Sequence, residues 1–179
     1  MNQRDAIETL RLWDGRGRHV FTRRQLARLF ANDSSKAFAA GLGRLVRAGL
    51  LVHACRGVYV NPHAQSLDSR VIERVAQALR PAAYNYVSLE SRLSEAGAIS
   101  QILLDRLTVM TTGRKGTYRT PYGVIEFTHT KRPVADVLAR IGREEDRPLR
   151  VASPAVAWRD LKRVGRNLAL VDPAVIADG

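Results

Sequence analysis

The most restrictive local signal in this chain is the run Phe21-Thr22-Arg23-Arg24-Gln25-Leu26. Thr22 can accept a backbone N–H from three residues ahead while the Gln25 side chain reaches back, closing a capping box. Phe21, just before the cap, can pack on Leu26 as a hydrophobic staple. A helix so started is predicted over residues 23–30, and it must be short. Ala31-Asn32-Asp33 follows, where Asn tolerates left-handed backbone and Asp33 or Ser34 can cap the next helix.

That next helix is predicted over residues 35–48, stopping at Gly49. Ala37 or Phe38, with Leu42, Leu45 and Val46, makes its buried stripe. Gly41 and Gly43 inside it cost about 1 kcal/mol each relative to Ala. Tight packing on the preceding helix or close approach to a phosphate backbone would justify that cost. Ahead of both helices, Ala6, Ile7, Leu10 and Trp13 recur at helical spacing, and Asp14-Gly15-Arg16-Gly17-Arg18 breaks that first helix. Behind them, residues 50–54 and 58–61 are β-rich and joined through Cys55-Arg56-Gly57, a hairpin with an arginine at its tip.

Short helices about a sharp turn followed by a basic hairpin predict a winged helix-turn-helix over residues 1–64. Such a module lays its second motif helix in the major groove. Ser34, Ser35, Lys36, Ala39, Ala40 and Gly43 would then face the groove. Arg23, Arg24, Arg44, Arg47 and Arg56 would contact phosphates, which position the protein without specifying sequence.

Charge supports this placement. The 179 residues carry 29 Lys+Arg against 17 Asp+Glu, a formal net charge of +12. Residues 1–62 hold 11 of the basic and 4 of the acidic side chains, nearly three times the net charge per residue of the remainder. Only four of the basic residues are lysine, so arginine bias in composition is the competing account of the charge. At 45% hydrophobic and 26% charged residues the chain is expected to fold as a globular protein. The longest uncharged run, residues 57–67, is too short and polar to span a bilayer, and the amino terminus lacks the apolar core of a secretory signal. A cytoplasmic protein without membrane association is the expectation.

Residues 67–79 are predicted as a helix with Val71, Ile72, Val75, Ala76 and Leu79 on one side, ended by Arg80-Pro81. This linking segment, residues 65–82, leads to a second domain over residues 83–179. There Ser88 caps a helix over 89–96, residues 106–112 and 117–120 read as strands around a tight basic turn at 113–116, and Thr120-Pro121-Tyr122-Gly123 turns into a strand over 124–130. Pro133 opens a helix with Val134, Val137, Leu138 and Ile141 at helical spacing, ending at Gly142, Glu144-Glu145-Asp146 is a solvated loop, and Ser153-Pro154 starts a helix with Ala157, Leu161 and Val164 inward. Asp172-Pro173 starts a last short helix. The fold class is α+β: the winged helix-turn-helix and a small domain with an antiparallel sheet flanked by helices.

Three segments of that second domain carry a family resemblance. They are residues 86–99, beginning Tyr86-Val87-Ser88-Leu89-Glu90; residues 106–116, with Thr111-Thr112-Gly113-Arg114-Lys115-Gly116; and residues 121–129, Pro121-Tyr122-Gly123-Val124-Ile125-Glu126-Phe127-Thr128-His129. With the basic amino-terminal third they resemble the AbiEi antitoxins of bacterial type IV toxin–antitoxin, or abortive-infection, systems, which serve phage defence. The resemblance implies an autorepressor whose winged helix binds inverted repeats in its own promoter, as a monomer in solution that binds cooperatively on DNA. It also implies a carboxy-terminal domain that counteracts a nucleotidyltransferase-like toxin without a stable complex. Arg114, Lys115, Arg119, Lys131 and Arg132 are candidates for a second functional basic surface.

Catalysis is not indicated. His19, His53, His63 and His129 share no metal-ligand spacing, and Glu90, Glu95, Asp105 and Glu126 form no closely spaced acidic pair of the kind two-metal nucleases use. Gly113-Arg114-Lys115-Gly116 could cradle a phosphate through backbone N–H groups, although a two-residue hairpin turn accounts for it more simply. Cys55, the one cysteine, has no evident activating base. The expectation is a non-enzymatic protein with no cofactor and no metal. The alternative class is a protein- or RNA-docking module, without antitoxin activity, that uses the same winged domain.

Overall fold

The computed structural model describes residues 2–99 and 105–177 and divides into two compact units, residues 1–79 and 80–179. Both mix helix and sheet, as an α+β chain should.

In the first unit, α1 (Gln3–Asp14) buries Ala6 and Leu10, with the Asn2 side chain accepting from Asp5 N. β1 (Val20–Thr22) runs directly into α2 (Arg23–Leu29). Sequence reasoning missed this three-residue strand, because two of its residues, Phe21 and Thr22, belong to the cap signal of the helix that follows. The capping box is complete: Gln25 N donates to Thr22 Oγ1 at 3.2 Å and Thr22 N donates to Gln25 Oε1 at 2.8 Å. Phe21 and Leu26, the staple pair, are both fully buried in the unit's core. α3 (Ser35–Arg47) starts at Ser34, whose hydroxyl accepts from Ala37 N at 3.2 Å, and it ends at Ala48 with Gly49 at φ +70°. Phe38, Leu42 and Leu45 are its buried stripe, and Gly41 lies among them. Ala37 is exposed, which leaves Phe38 as the inward residue.

β2 (Val52–Cys55) and β3 (Val58–Val60) form the expected hairpin, closed by Arg56 and Gly57, with Gly57 at φ +71°. β1 pairs antiparallel with β3 on its other side, giving the order β1-β3-β2. α4 (Val71–Leu79) packs on β1 and β3 and buries Glu73, Val75 and Ala76. It starts four residues later than periodicity suggests, because the chain before it is bent back: Gln65 N and Ser66 N both donate to the Asp14 carboxylate, at 2.8 and 2.9 Å.

The second unit is built on a six-stranded sheet of order β6-β7-β5-β4-β9-β8. Its strands are β4 (Asn85–Val87), β5 (Arg106–Thr111), β6 (Gly116–Thr120), β7 (Gly123–His129), β8 (Ile141–Gly142) and β9 (Arg150–Ala152). The sheet is mixed rather than antiparallel: β5 runs parallel to β7, and β4 parallel to β9. β7 lies between β5 and β6, so residues 113–116 connect non-neighbouring strands and are not a hairpin turn. Gly113 is closely packed there: a Cβ would lie 3.2 Å from Ala83 Cβ and 3.3 Å from Thr111 Oγ1, so a larger residue would need both side chains to give way slightly. α5 (Leu89–Glu95) and α7 (Pro154–Val164) cover the sheet, with α6 (Val134–Leu138) beside β8 and α8 (Pro173–Ala177) against α7. Leu89, Leu93, Val156, Ala157 and Leu161 join Tyr86 and Met110 in the core. Ile141 sits in β8 rather than in α6, and Val164 is exposed.

One corner of the first unit has a pH signature. His19 is fully buried, with Nδ1 2.9 Å from Ser66 Oγ. Burial, with the Arg74 charge behind it, holds its pKa below the ordinary 6.5. The unfolded chain therefore takes up a proton first as pH falls, so this stability is complete above about pH 6.5 and declines as pH falls towards the lower folded value. Asp14, whose pKa is lowered by hydrogen bonds from Ser66 and Gln65, adds a loss in the same direction below its ordinary 3.8. Thermal melts of the first unit's transition should fall between about pH 7 and pH 5.5, and the His19→Gln variant should flatten that slope whatever its absolute stability. An unchanged slope in His19→Gln would show that other groups carry it.

Candidate nucleic-acid interface

The solvent face of α3 is built by subtraction. With Phe38, Gly41, Leu42 and Leu45 turned to the core, the 3.6-residue period leaves Lys36, Ala39, Ala40, Gly43, Arg44 and Arg47 pointing away. All are exposed except Gly43, which is half-buried, and Ser34 and Ser35 are exposed at the helix start. The middle of this face consists of Ala39, Ala40 and Gly43, so no bulky side chain stands between the helix backbone and an approaching surface. A Cβ placed on Gly43 would meet only the Arg47 Nη1 atom, at 3.5 Å, an ordinary contact. Packing on α2 therefore does not require this glycine.

The basic residues flank that face on several elements. Arg23 and Arg24 begin α2, and both are exposed. Arg23 N donates to Gly57 O at 2.7 Å, which ties the first turn of α2 to the hairpin turn. The Arg23 guanidinium lies 5.8 Å from the Phe38 ring centroid, a cation–π contact that joins α2 to α3. Arg56 is exposed at the hairpin tip, next to that tether. The expected residues of the first unit are thus brought onto one connected set of elements.

Sequence reasoning passed over Arg16 and Arg18, whose guanidiniums lie 5.1 and 5.0 Å from the Trp13 ring centroid on the segment after α1. Their signal was present as the basic, glycine-broken run itself. Cys55 is half-buried, and burial raises its thiol pKa, which makes it less reactive.

The second basic set is not brought together as expected. Arg114, Lys115, Arg119 and Lys131 are exposed, on the β5–β6 connection, on β6 and after β7. Arg132 is withdrawn from that surface: Nη2 pairs with Asp160 Oδ1 at 3.0 Å, and its side chain is only 10% exposed. Asp160 is itself 1% exposed and accepts from Tyr86 Oη at 3.1 Å and Ser88 Oγ at 2.9 Å. Ser88 therefore does not cap α5 as anticipated. Glu90, also buried, accepts from Arg166 Nε at 2.8 Å and Asn167 Nδ2 at 2.9 Å, and Arg166 bridges on to Glu126. These two carboxylates, 36 residues apart in sequence, share one guanidinium; burial works against its charge, but the hydrogen bonds it donates to both carboxylates raise its pKa.

Among the described residues no group of three or more His, Cys, Asp or Glu is arranged to hold a metal ion, and no helix is long and apolar enough to cross a membrane. No curated protein and no solved structure matches this chain. A family model described as "Transcriptional regulator, AbiEi antitoxin" matches residues 8–62, which run from within α1 to just past β3 and hold every interface residue of the first unit. Over that segment, the chain is similar to the AbiEi antitoxin family of transcriptional regulators.

Proposed function

We propose that this protein is a DNA-binding transcriptional autorepressor and antitoxin, cytoplasmic and without a catalytic step of its own. On this reading the first unit is a winged helix-turn-helix, with α2 and α3 as the motif and the β2–β3 hairpin as the wing. The observation that carries it is the α3 face: small in the middle, basic at its edges, exposed except at half-buried Gly43, and tethered through α2 to an arginine-tipped hairpin. A small-residue face lets a helix sit deep in the major groove, while the flanking arginines meet phosphates. The family match over the same residues supports the regulatory role. The antitoxin role extends to a type IV abortive-infection system acting in phage defence, in which a nucleotidyltransferase-like toxin is counteracted without a stable complex. The DNA target is inverted repeats in the protein's own promoter, occupied cooperatively.

Fluorescence anisotropy with the promoter duplex over a salt series tests the DNA-binding part. Arg24→Ala, Arg47→Ala and Arg56→Ala together should weaken binding to all duplexes. Removing three phosphate contacts should also reduce the slope of log affinity against log salt by about 3. Substitution of Ser35 or Lys36 should instead change preference among operator variants. An unaltered slope in the triple variant would remove the groove assignment. If the two jobs are separate, the same triple variant should still relieve growth arrest by the co-encoded toxin.

Gly43→Ala separates stability from function. It should stabilise α3 by about 1 kcal/mol, because alanine is the better helix former and the added methyl has room. It should nonetheless weaken operator binding, as the methyl would stand between helix backbone and DNA. Thermal melts and duplex titration read the two effects, and a variant that is stabilised with unchanged affinity would show that no close approach occurs at Gly43.

A further inference from the structure

In the second unit, a cleft of about 330 Å³ opens between the end of β7 and α7. That volume lies at the lower end of small-ligand sites, roughly 300–1,000 Å³. Its cationic wall is Lys131, Arg132 and Arg163, and its apolar wall is Met110 and Val164. Lys131 and Arg163 are both exposed, and neither forms a salt bridge or side-chain hydrogen bond among the described residues. Arg132 is different: Asp160, itself anchored by Tyr86 and Ser88, fixes its guanidinium at the cleft wall. His129 adds an imidazole whose Nδ1 lies 2.7 Å from Gly113 O, which orients the ring.

Three cationic side chains against the single carboxylate of Asp160 leave a local excess of two positive charges. A preorganised guanidinium beside two unpaired cations suits a doubly charged oxyanion with several acceptor oxygens. We propose that this cleft binds a phosphomonoester, the dianion lying among Lys131, Arg132 and Arg163 and an apolar or aromatic body resting on Met110 and Val164. A nucleoside monophosphate and the phosphorylated end of a nucleic-acid strand both present that chemistry. Asp160 is a positioning residue that acts through Arg132. The site is independent of the first unit's DNA reading, because all its residues lie between positions 110 and 164.

Calorimetric titration of the full-length protein at fixed ionic strength, in a buffer free of phosphate, tests this. The probes are inorganic phosphate, a nucleoside monophosphate, the parent nucleoside, and a trinucleotide with and without a 5′-phosphate. Saturable binding of the phosphorylated probes, and not of their unphosphorylated counterparts, is expected. Lys131→Ala and Arg163→Ala should each weaken it by about tenfold, while Arg143→Ala, an exposed cation outside the cleft, should not. A monophosphate that binds as well as the phosphorylated trinucleotide identifies the free nucleotide as sufficient; a trinucleotide that binds while the monophosphate does not identifies a strand terminus. No saturable binding of any phosphorylated probe, or equal losses in all three variants, would overturn the proposal. Both cleft variants replace unpaired surface side chains, so their melting temperatures should match that of the parent.

Discussion

The amino terminus of α2 is held from three directions, and the arrangement of the first unit depends on it. The Thr22–Gln25 capping box satisfies donors at the helix start, and the Phe21–Leu26 staple pins the entering chain to the core. The Arg23 amide closes onto the carbonyl of Gly57. The last bond matters most for geometry, since it couples the first turn of the helix to the turn of a hairpin more than thirty residues later in sequence. Through the Arg23–Phe38 contact the same residue reaches α3. The α3 face and the hairpin tip are therefore referred to a common point, the first turn of α2.

This unit was largely legible because its signals are local. Capping residues, a turn that tolerates left-handed backbone and a glycine at the hairpin each act within a few residues. β1 escaped because three residues give no alternation to detect, and its reason for existing is β3, some forty residues downstream. The second unit shows the limit more sharply. β4 and β9 are three residues each, β4 is buried throughout, and both pair in parallel with one another across sixty intervening residues. Buried parallel strands carry neither polar alternation nor a turn signal. The tight turns on either side of β6 read as two successive hairpins, yet only the second is one, because β7 inserts beside β5. Sheet order is a property of packing that local propensity does not encode.

Buried charge accounts for the part of the second basic set that sequence reasoning misplaced. An isolated ionised carboxylate in the interior is costly, so a buried Asp must recruit partners. Asp160 draws on Tyr86, Ser88 and Arg132, which lie 74, 72 and 28 residues away. Arg132 follows Lys131 in the chain, and nothing in the sequence distinguishes the solvated cation from the paired one. The same logic brings Arg166 between Glu90 and Glu126. Read along the chain, these carboxylates form no pair; in the fold they are held together by a guanidinium. Such networks destabilise strongly when one member is removed, whatever their net worth when complete, so they tie α5, β7 and the segment after α7 into one arrangement.

The two glycines of α3 show how the same residue type can answer to different constraints in one helix. Gly41 is on the buried stripe with Leu42 and Leu45, where the surroundings are the unit's own core. Gly43 is on the opposite side, where the chain supplies nothing for it to avoid except the end of a flexible arginine. Gly43 therefore has no steric reason inside its own fold, unlike a glycine forced by packing. Ala39 and Ala40 beside it carry the smallest side chains a helix can present at no propensity cost. A face kept small in the middle and charged at its margins suits a partner whose backbone is anionic and whose groove admits a bare helix; a docking surface for a protein would concentrate aromatic or aliphatic anchors at its centre instead.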